Sequence, residues 1–179
     1  SPKADSDVFV TSNYKLTFDQ VRKNLGGLNA FLLVLDTKGV NVWCAAGKGP
    51  FGTKELAGRI KSSSLEDIVS HRRIILPQLG ATGVAAHKIK ETTGFNVHYG
   101  PVLASDIKRF VNNGYRADKD MRKVKFGFTD RIKLVPNDFM YGKYYFIAAT
   151  AILVALTAIG PNGLSFKTLS SEWPSVVLK

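Results

Sequence analysis

A single cysteine, Cys44, stands just ahead of the run Gly47-Lys48-Gly49-Pro50-Phe51-Gly52, and chemistry in this 179-residue chain is most readily sited there. A thiolate is both a nucleophile and a soft metal ligand. Helix-terminal amide dipoles and the Lys48 ammonium would favour one at this place. The plain alternative is a small thiol buried at a strand end. One cysteine makes no internal disulfide, Cys-rich zinc site or iron–sulfur cluster, and it fits a reducing, cytoplasmic setting. A Cys–His hydrolase needs a histidine near the thiol, yet His71, His87 and His98 fall in no catalytic motif. They also lack the i, i+4 spacing of a helical metal site and read as surface or core residues. Gly47, Gly49 and Gly52 match the G-x-G-x-x-G of dinucleotide sites, a weak signal alone. The strand expected next ends at Gln78 rather than at an acidic residue, and Pro50 and Phe51 would crowd a pyrophosphate.

The elements that must position these residues alternate. Residues 8–11 are short and β-branched, and a helix is expected over 17–25, with Thr17 as N-cap and Gly26-Gly27 as its stop. Residues 30–35 form a continuous apolar run, as in a strand buried on both faces. Another apolar run at 40–46 leads into the glycines in the manner of a strand. Helices are expected at 53–61, 65–71, 85–92 and 105–112, with strands at 74–77 and 95–99. This alternation predicts an α/β domain over residues 1–130, with a Rossmann-like, mostly parallel sheet and flanking helices. Such sheets bind ligands beyond the carboxyl ends of their strands.

The 25 Lys and Arg residues against 14 Asp and Glu give a net charge of +11. They are spread along the chain, without a basic block or an RNA-type aromatic motif, so no nucleic-acid partner is expected. Hydrophobic residues at 45% and charged residues at 22% are those of an ordered domain. Residues 1–7 are polar and form no signal peptide, and the opening without Met at an interior-looking point suggests a fragment. The composition changes after residue 130. Positions 144–166 carry no charge, and 139–159 is mostly apolar apart from Lys143. That span of about 21 residues matches the ~20 needed to cross ~30 Å of hydrocarbon, with Lys143 snorkelling and Tyr141, Tyr144 and Tyr145 at the interface. A juxtamembrane segment, one transmembrane helix and a truncated following loop are therefore expected over 131–179. Only Lys167 and Lys179 among the basic residues lie beyond the helix, which puts the α/β domain on the cytoplasmic side of the inner membrane.

The string Asn41-Val42-Trp43-Cys44-Ala45-Ala46-Gly47-Lys48 resembles the signature of the HgcA family, the corrinoid proteins of microbial mercury methylation. Val10-Thr11-Ser12-Asn13-Tyr14-Lys15-Leu16, Leu33-Val34-Leu35-Asp36-Thr37-Lys38-Gly39 and Pro77-Gln78-Leu79-Gly80-Ala81 are also similar to family sequence. So are Gly83-Val84-Ala85-Ala86-His87 and Tyr99-Gly100-Pro101-Val102. More distantly, the chain resembles the corrinoid domain of the large subunit of the corrinoid iron–sulfur protein of acetyl-CoA synthesis. It departs from the pattern at Pro50, where Thr is expected, and in lacking the family's stretch before Val8 and most of its membrane helices.

The resemblance implies a mechanism. The segment from Asn41 through Gly49 would form a cap helix under a corrin ring, with the Cys44 sulfur as lower axial ligand to cobalt. The cofactor would be a cobalamin-type corrinoid bound base-off; the Asp-x-His-x-x-Gly of histidine-ligated B12 proteins does not occur. Thr11, Ser12, Asn13 and Tyr14, then Gln78, Leu79, Gly80, Ala81, Gly83 and Val84, then Tyr99, Gly100, Pro101 and Val102 would line the ring and its nucleotide tail. Their glycines would let backbone approach a large flat ligand. The implied activity is that of a corrinoid-dependent methyltransferase: a methyl group from a methyltetrahydrofolate-linked donor passes from methyl-cobalt(III) to Hg(II), giving methylmercury. The implied electron donor is the ferredoxin-like HgcB, with two 4Fe–4S clusters. Two other readings stay open, a corrinoid methyl carrier for another acceptor in one-carbon metabolism and a non-catalytic corrinoid-binding module.

Overall fold

The structure, a computed structural model, describes residues 1–124, 127–132, 135–157, 159–160 and 163–164. The chain divides into two compact units, Ser1–Val124 and Lys125–Lys179. In the first, four strands, β1 (Asp7–Ser12), β2 (Ala30–Leu35), β3 (Arg73–Leu76) and β4 (Asn96–Tyr99), form one parallel sheet in the order β2-β1-β3-β4. β1 pairs with β2 along its whole length, from Asp7 opposite Ala30 to Ser12 opposite Leu35. β3 and β4 pair from Arg73 opposite Asn96 to Leu76 opposite Tyr99. The winding direction reverses between β1 and β3, so the connections leaving their carboxyl ends diverge and open a crevice. The expected Rossmann-like sheet is thus met in its flavodoxin-like strand order.

Helices α1 (Lys15–Asn24), α2 (Val42–Lys48), α3 (Thr53–Ser62), α4 (Leu65–Ile68), α5 (Ala86–Thr93) and α6 (Ile107–Asn112) flank the sheet. Strand side chains alternate between faces. Val8, Val10, Leu35, Ile74 and Leu76 pack with Val42, Phe51, Leu56, Ile60 and Ile89 on one face. Phe9 and Ile75 pack with Leu25, Ile107 and Phe110 on the other. Most strand positions are buried or half-buried, Asn96 and His98 of β4 being exposed, and apolar packing on both faces of β2 is why residues 30–35 read as an unbroken apolar run.

Three expectations about elements are corrected. Residues 40–46 are not a strand. Lys38 and Gly39 take left-handed backbone (φ 54 and 71), turning the chain so that Asn41 opens a helix instead. Helix α1 starts at Lys15, after Tyr14 in the cap position and without a side-chain cap, so Thr17 lies inside it. The helix expected at 65–71 stops at Ile68, because Val69 becomes extended as its side chain enters the core.

In the second unit, α7 (Phe128–Ile132) precedes α8 (Val135–Thr157), and Ile159–Gly160 pairs antiparallel with Gly163–Leu164. Helix α8 covers most of the membrane span expected at 139–159 but ends two residues short of it. Among the described residues no helix is long and apolar enough to cross a membrane. The part of α8 beyond Lys143 covers about 21 Å at 1.5 Å per residue, less than the ~30 Å of a hydrocarbon core.

Candidate functional site

Helix α2 carries Cys44 and is short enough that its ends decide whether it forms. At its start, Asn41 is extended (φ −64, ψ 160) and its side chain accepts the Cys44 N–H at 2.9 Å. At its end, Gly49 adopts φ 100 and donates its N–H to Ala45 O at 2.9 Å, a left-handed cap that glycine makes without strain. Val42, Ala45 and Ala46, spaced i, i+3, i+4, bury against the sheet. The opposite side leaves Trp43 61% exposed and Cys44 exposed as a free thiol. The buried-thiol alternative is therefore set aside.

Gly47 lies one turn beyond Cys44 on this open side. Its backbone is helical, and a Cβ built on it would meet nothing within 4 Å. A glycine inside a helix costs about 1 kcal/mol relative to alanine, and no contact within the protein requires one here. Its effect is to leave a flat, side-chain-free patch beside the sulfur.

A cavity of about 530 Å³ opens at the crevice between the carboxyl ends of β1 and β3. Thr11 comes to its wall from β1, Leu76, Pro77 and Leu79 from β3 and its exit, and Gly100, Pro101 and Val102 from beyond β4. Asn41, Val42 and Trp43 of α2 complete that side. The lining is mostly apolar. Two hydroxyls at the end of β1, Thr11 Oγ1 and Ser12 Oγ, are buried without a hydrogen-bond partner, as is Gln78 Oε1 after β3. Such orphans cost about 1–3 kcal/mol each. Of these three residues Thr11 lines the cavity, where its hydroxyl is a place for a polar group of a ligand.

Eight of the residues expected to bind a cofactor line this cavity: Thr11, Asn41, Val42, Trp43, Leu79, Gly100, Pro101 and Val102. Cys44, Ala45, Ala46, Gly47, Lys48 and Gly49 follow along α2, outside the wall itself. Asn13 uses its amide on the loop after β2, and Tyr14 begins the turn into α1. The loop of Gln78, Leu79, Gly80, Ala81, Gly83 and Val84 packs against the chain's own residues. A Cβ on Gly80 would lie 2.5 Å from Phe51 Cε1, and one on Gly83 only 2.1 Å from Phe51 O. Internal packing by itself requires glycine at these two positions. Tyr99 donates its hydroxyl to Val84 O at 2.9 Å, tying β4 to the same loop, and burial holds its phenol above the ordinary value.

One face of α1, with Leu16, Thr17, Gln20, Val21 and Asn24, also lines the cavity and was not anticipated. A signal was present: no residue of α1 is buried, though Leu16, Gln20 and Asn24 repeat at the four-residue spacing of one helix face, directly after the first strand. The glycine triplet, by contrast, makes no dinucleotide loop. Gly47 is inside α2, Gly49 ends it and Gly52 precedes α3, whereas the fingerprint requires a strand running straight into the glycine turn. Of the histidines, His71 Nε2 lies 2.9 Å from Ser6 O, and His87 and His98 are exposed on α5 and β4.

Residues 1–111 match the family described as CdhD, CO dehydrogenase/acetyl-CoA synthase delta subunit. The chain belongs to this family. It is 33% identical over 116 residues to the acetyl-CoA decarbonylase/synthase complex subunit gamma of Archaeoglobus fulgidus, covering 64% of this chain and 24% of that protein. It is 35% identical over 109 residues to the corrinoid/iron-sulfur protein large subunit of Moorella thermoacetica, covering 60% and 24%. A gamma subunit from Methanocaldococcus jannaschii is 31% identical over 127 residues, covering 70% and 25%. The chain thus spans about a quarter of the length of these relatives. The more distant of the two likenesses read from the sequence, to the corrinoid iron–sulfur protein, is borne out.

Proposed function

We propose that the first unit holds a corrinoid over α2 and acts as a methyl carrier in one-carbon metabolism. One observation carries this reading: in a relative of the corrinoid/iron-sulfur protein, an exposed thiol stands one turn from an unobstructed glycine on α2, the helix whose start, Asn41, Val42 and Trp43, lines the crevice. The residues fit such a group. Cys44 is a soft donor on a flat face. Thr11, Ser12 and Gln78 offer unpartnered polar atoms to amide side chains and tail, and the apolar cavity suits a nucleotide base. A bound corrinoid supplies a cobalt able to accept and release a methyl group. The chain's part would be to hold Cys44 Sγ toward the cobalt as its lower ligand, with Trp43 and the apolar wall excluding water beside it. With Cys44 in that role, the corrinoid would be bound base-off.

The Cys44 donor favours one acceptor in particular, Hg(II). An anionic sulfur raises electron density on its partner metal, which suits delivery of a methyl group as a carbanion equivalent to an electrophilic metal. Under this reading the partners are an HgcB-type ferredoxin with two 4Fe–4S clusters and a methyltetrahydrofolate-linked donor. A carrier within an acetyl-CoA-synthesising complex would dock on its other subunits instead. Attachment to the cytoplasmic membrane is supported by the exposed Tyr145, Phe146, Ile147, Ile152 and Leu153 of α8, and the α/β unit on the cytoplasmic side by the excess of Lys and Arg that precedes them.

The test is an absorption spectrum of the protein mixed with cobalamin, beside its Cys44→Ala variant. Uptake by the parent with a spectrum that changes when Cys44 is removed is expected; no uptake by either protein overturns the corrinoid reading. Methylmercury formation under a low-potential reductant then separates acceptors. Activity of Cys44→Ala at the parent's rate would remove the thiolate from the chemistry.

A further inference from the structure

We propose that Asn13 and Thr37 form a positioning clamp that fixes the start of α2 and thereby the place of Cys44. As a device for cobalt coordination, it rests on the corrinoid reading above. Asn13 ends β1 and reaches across to the loop between β2 and α2. Its Oδ1 accepts the N–H groups of Thr37 and Gly39, each at 3.1 Å, and lies 2.9 Å from Thr37 Oγ1. Its Nδ2 donates to Asp36 Oδ1 at 2.8 Å. Thr37 is fully buried, and its hydroxyl also lies 2.5 Å from Val40 O, the carbonyl just before the cap residue Asn41. From Asn41 the next bond is the one to the Cys44 amide. The bonds from Thr37 to Asn13 and to Val40 O, and from Cys44 to Asn41, joined through the backbone, thus link the end of β1 to the cysteine.

The far side of the loop is held as well. Asp36 N–H donates to Glu55 Oε1 of α3 at 3.0 Å, and Asp36 Oδ1 accepts Lys38 N–H at 2.9 Å. The loop therefore has one geometry, although Asp36, Lys38 and Gly39 are exposed. The hydrophobic packing of the sheet does not depend on these bonds, while α2, only seven residues long, gains from every contact that fixes its start. Asn13 and Thr37 are positioning residues: they act through Val40 and Asn41 and need not touch a ligand.

The experiment uses the full chain and two variants at one position. Thr37→Val keeps the shape and removes the hydroxyl, and Thr37→Ser keeps the hydroxyl. Amide exchange is followed at Cys44 and Ala45, with the paired amides of β1 and β2 as internal reference, and cobalamin affinity and spectrum are read on the same samples. Expected for Thr37→Val is exchange roughly tenfold faster in α2 with the sheet unchanged, a comparable loss of cobalamin affinity and a weakened cobalt–thiolate spectrum. Thr37→Ser restores all three. Unchanged α2 exchange in both Thr37→Val and Asn13→Ala overturns the clamp. Faster exchange with unaltered affinity and spectrum overturns its positioning role, leaving a structural one. A parent that takes up no cobalamin while α2 exchange still responds overturns the corrinoid reading and supports the clamp on α2.

Discussion

The backbone N–H of Cys44 donates to Oδ1 of Asn41 at 2.9 Å, so the side chain that opens α2 is bonded to the residue proposed to face the cobalt. Cap and cysteine form one unit, and Asn41 also lines the cavity. The residue immediately before this helix therefore has two duties, one to the helix and one to the crevice.

Asn41→Ala removes the cap and is expected to destabilise the first unit by about 1 kcal/mol, while Asn41→Asp retains an acceptor and most of that stability. Urea midpoints of the three proteins measure this. Equal midpoints for parent and Asn41→Ala would mean that α2 is held by its buried face alone.

How far this was legible in the sequence depended on whether the deciding contacts were local. Residues 30–35 emerge as β2 residue for residue, because burial from both sides leaves only apolar positions. The run at 40–46 looked strand-like for the same reason, and the left-handed turn at Lys38 and Gly39 overrode it. Val42, Ala45 and Ala46 do have helical spacing, but two turns are too few for a pattern to outweigh an apolar run. The strand-end rule located the crevice. It did not yield the wall from α1, whose Leu16, Gln20 and Asn24 carry no motif. Nor did it show that Asn13 turns to a loop 24 residues away, a pairing that exists only once β1 and β2 lie side by side.

Gly83→Ala should fail for reasons internal to the fold. Its Cβ would stand 2.1 Å from Phe51 O and 3.0 Å from Ala46 Cα, both backbone atoms that cannot swing away. A loss of at least about 2 kcal/mol is expected, read as a lower urea midpoint or as insoluble protein. A variant as stable as the parent would show that the Phe51 loop yields easily.

The alkaline limb of stability should report on Tyr115. Its hydroxyl donates to Asp7 Oδ2 at 2.8 Å. Burial first, then that bond and the Asp7 charge, hold the phenol above its ordinary value of 10.0, against a smaller opposing effect of Arg73. The folded state keeps this proton to higher pH than the unfolded chain does. The resulting stability is complete below about pH 10 and is lost as pH rises through the raised value. Tyr115→Phe is expected to be less stable than the parent at neutral pH and to lose less on going to about pH 11. Parallel urea-midpoint curves for the two proteins would assign the alkaline loss elsewhere, with Tyr99 the next candidate.

Gly47→Ala separates stability from function most sharply. The position is helical, exposed and free of any atom within 4 Å of a new Cβ, so alanine should raise stability by about 0.5–1 kcal/mol. Were the glycine neutral to function, the substitution would be pure gain. If a flat ring lies against α2 with Cys44 as its lower ligand, however, the added methyl group stands one turn from the sulfur and holds the ring away. The expected result is a higher melting temperature together with weaker cobalamin uptake and a diminished cobalt–thiolate signature, growing worse with a larger side chain such as Leu. Melting curves and cobalamin titrations on the same preparations decide the matter. A stabilised variant with undiminished uptake would mean that the ring does not lie over this face of α2, and Cys44 would lose its place beneath the cobalt.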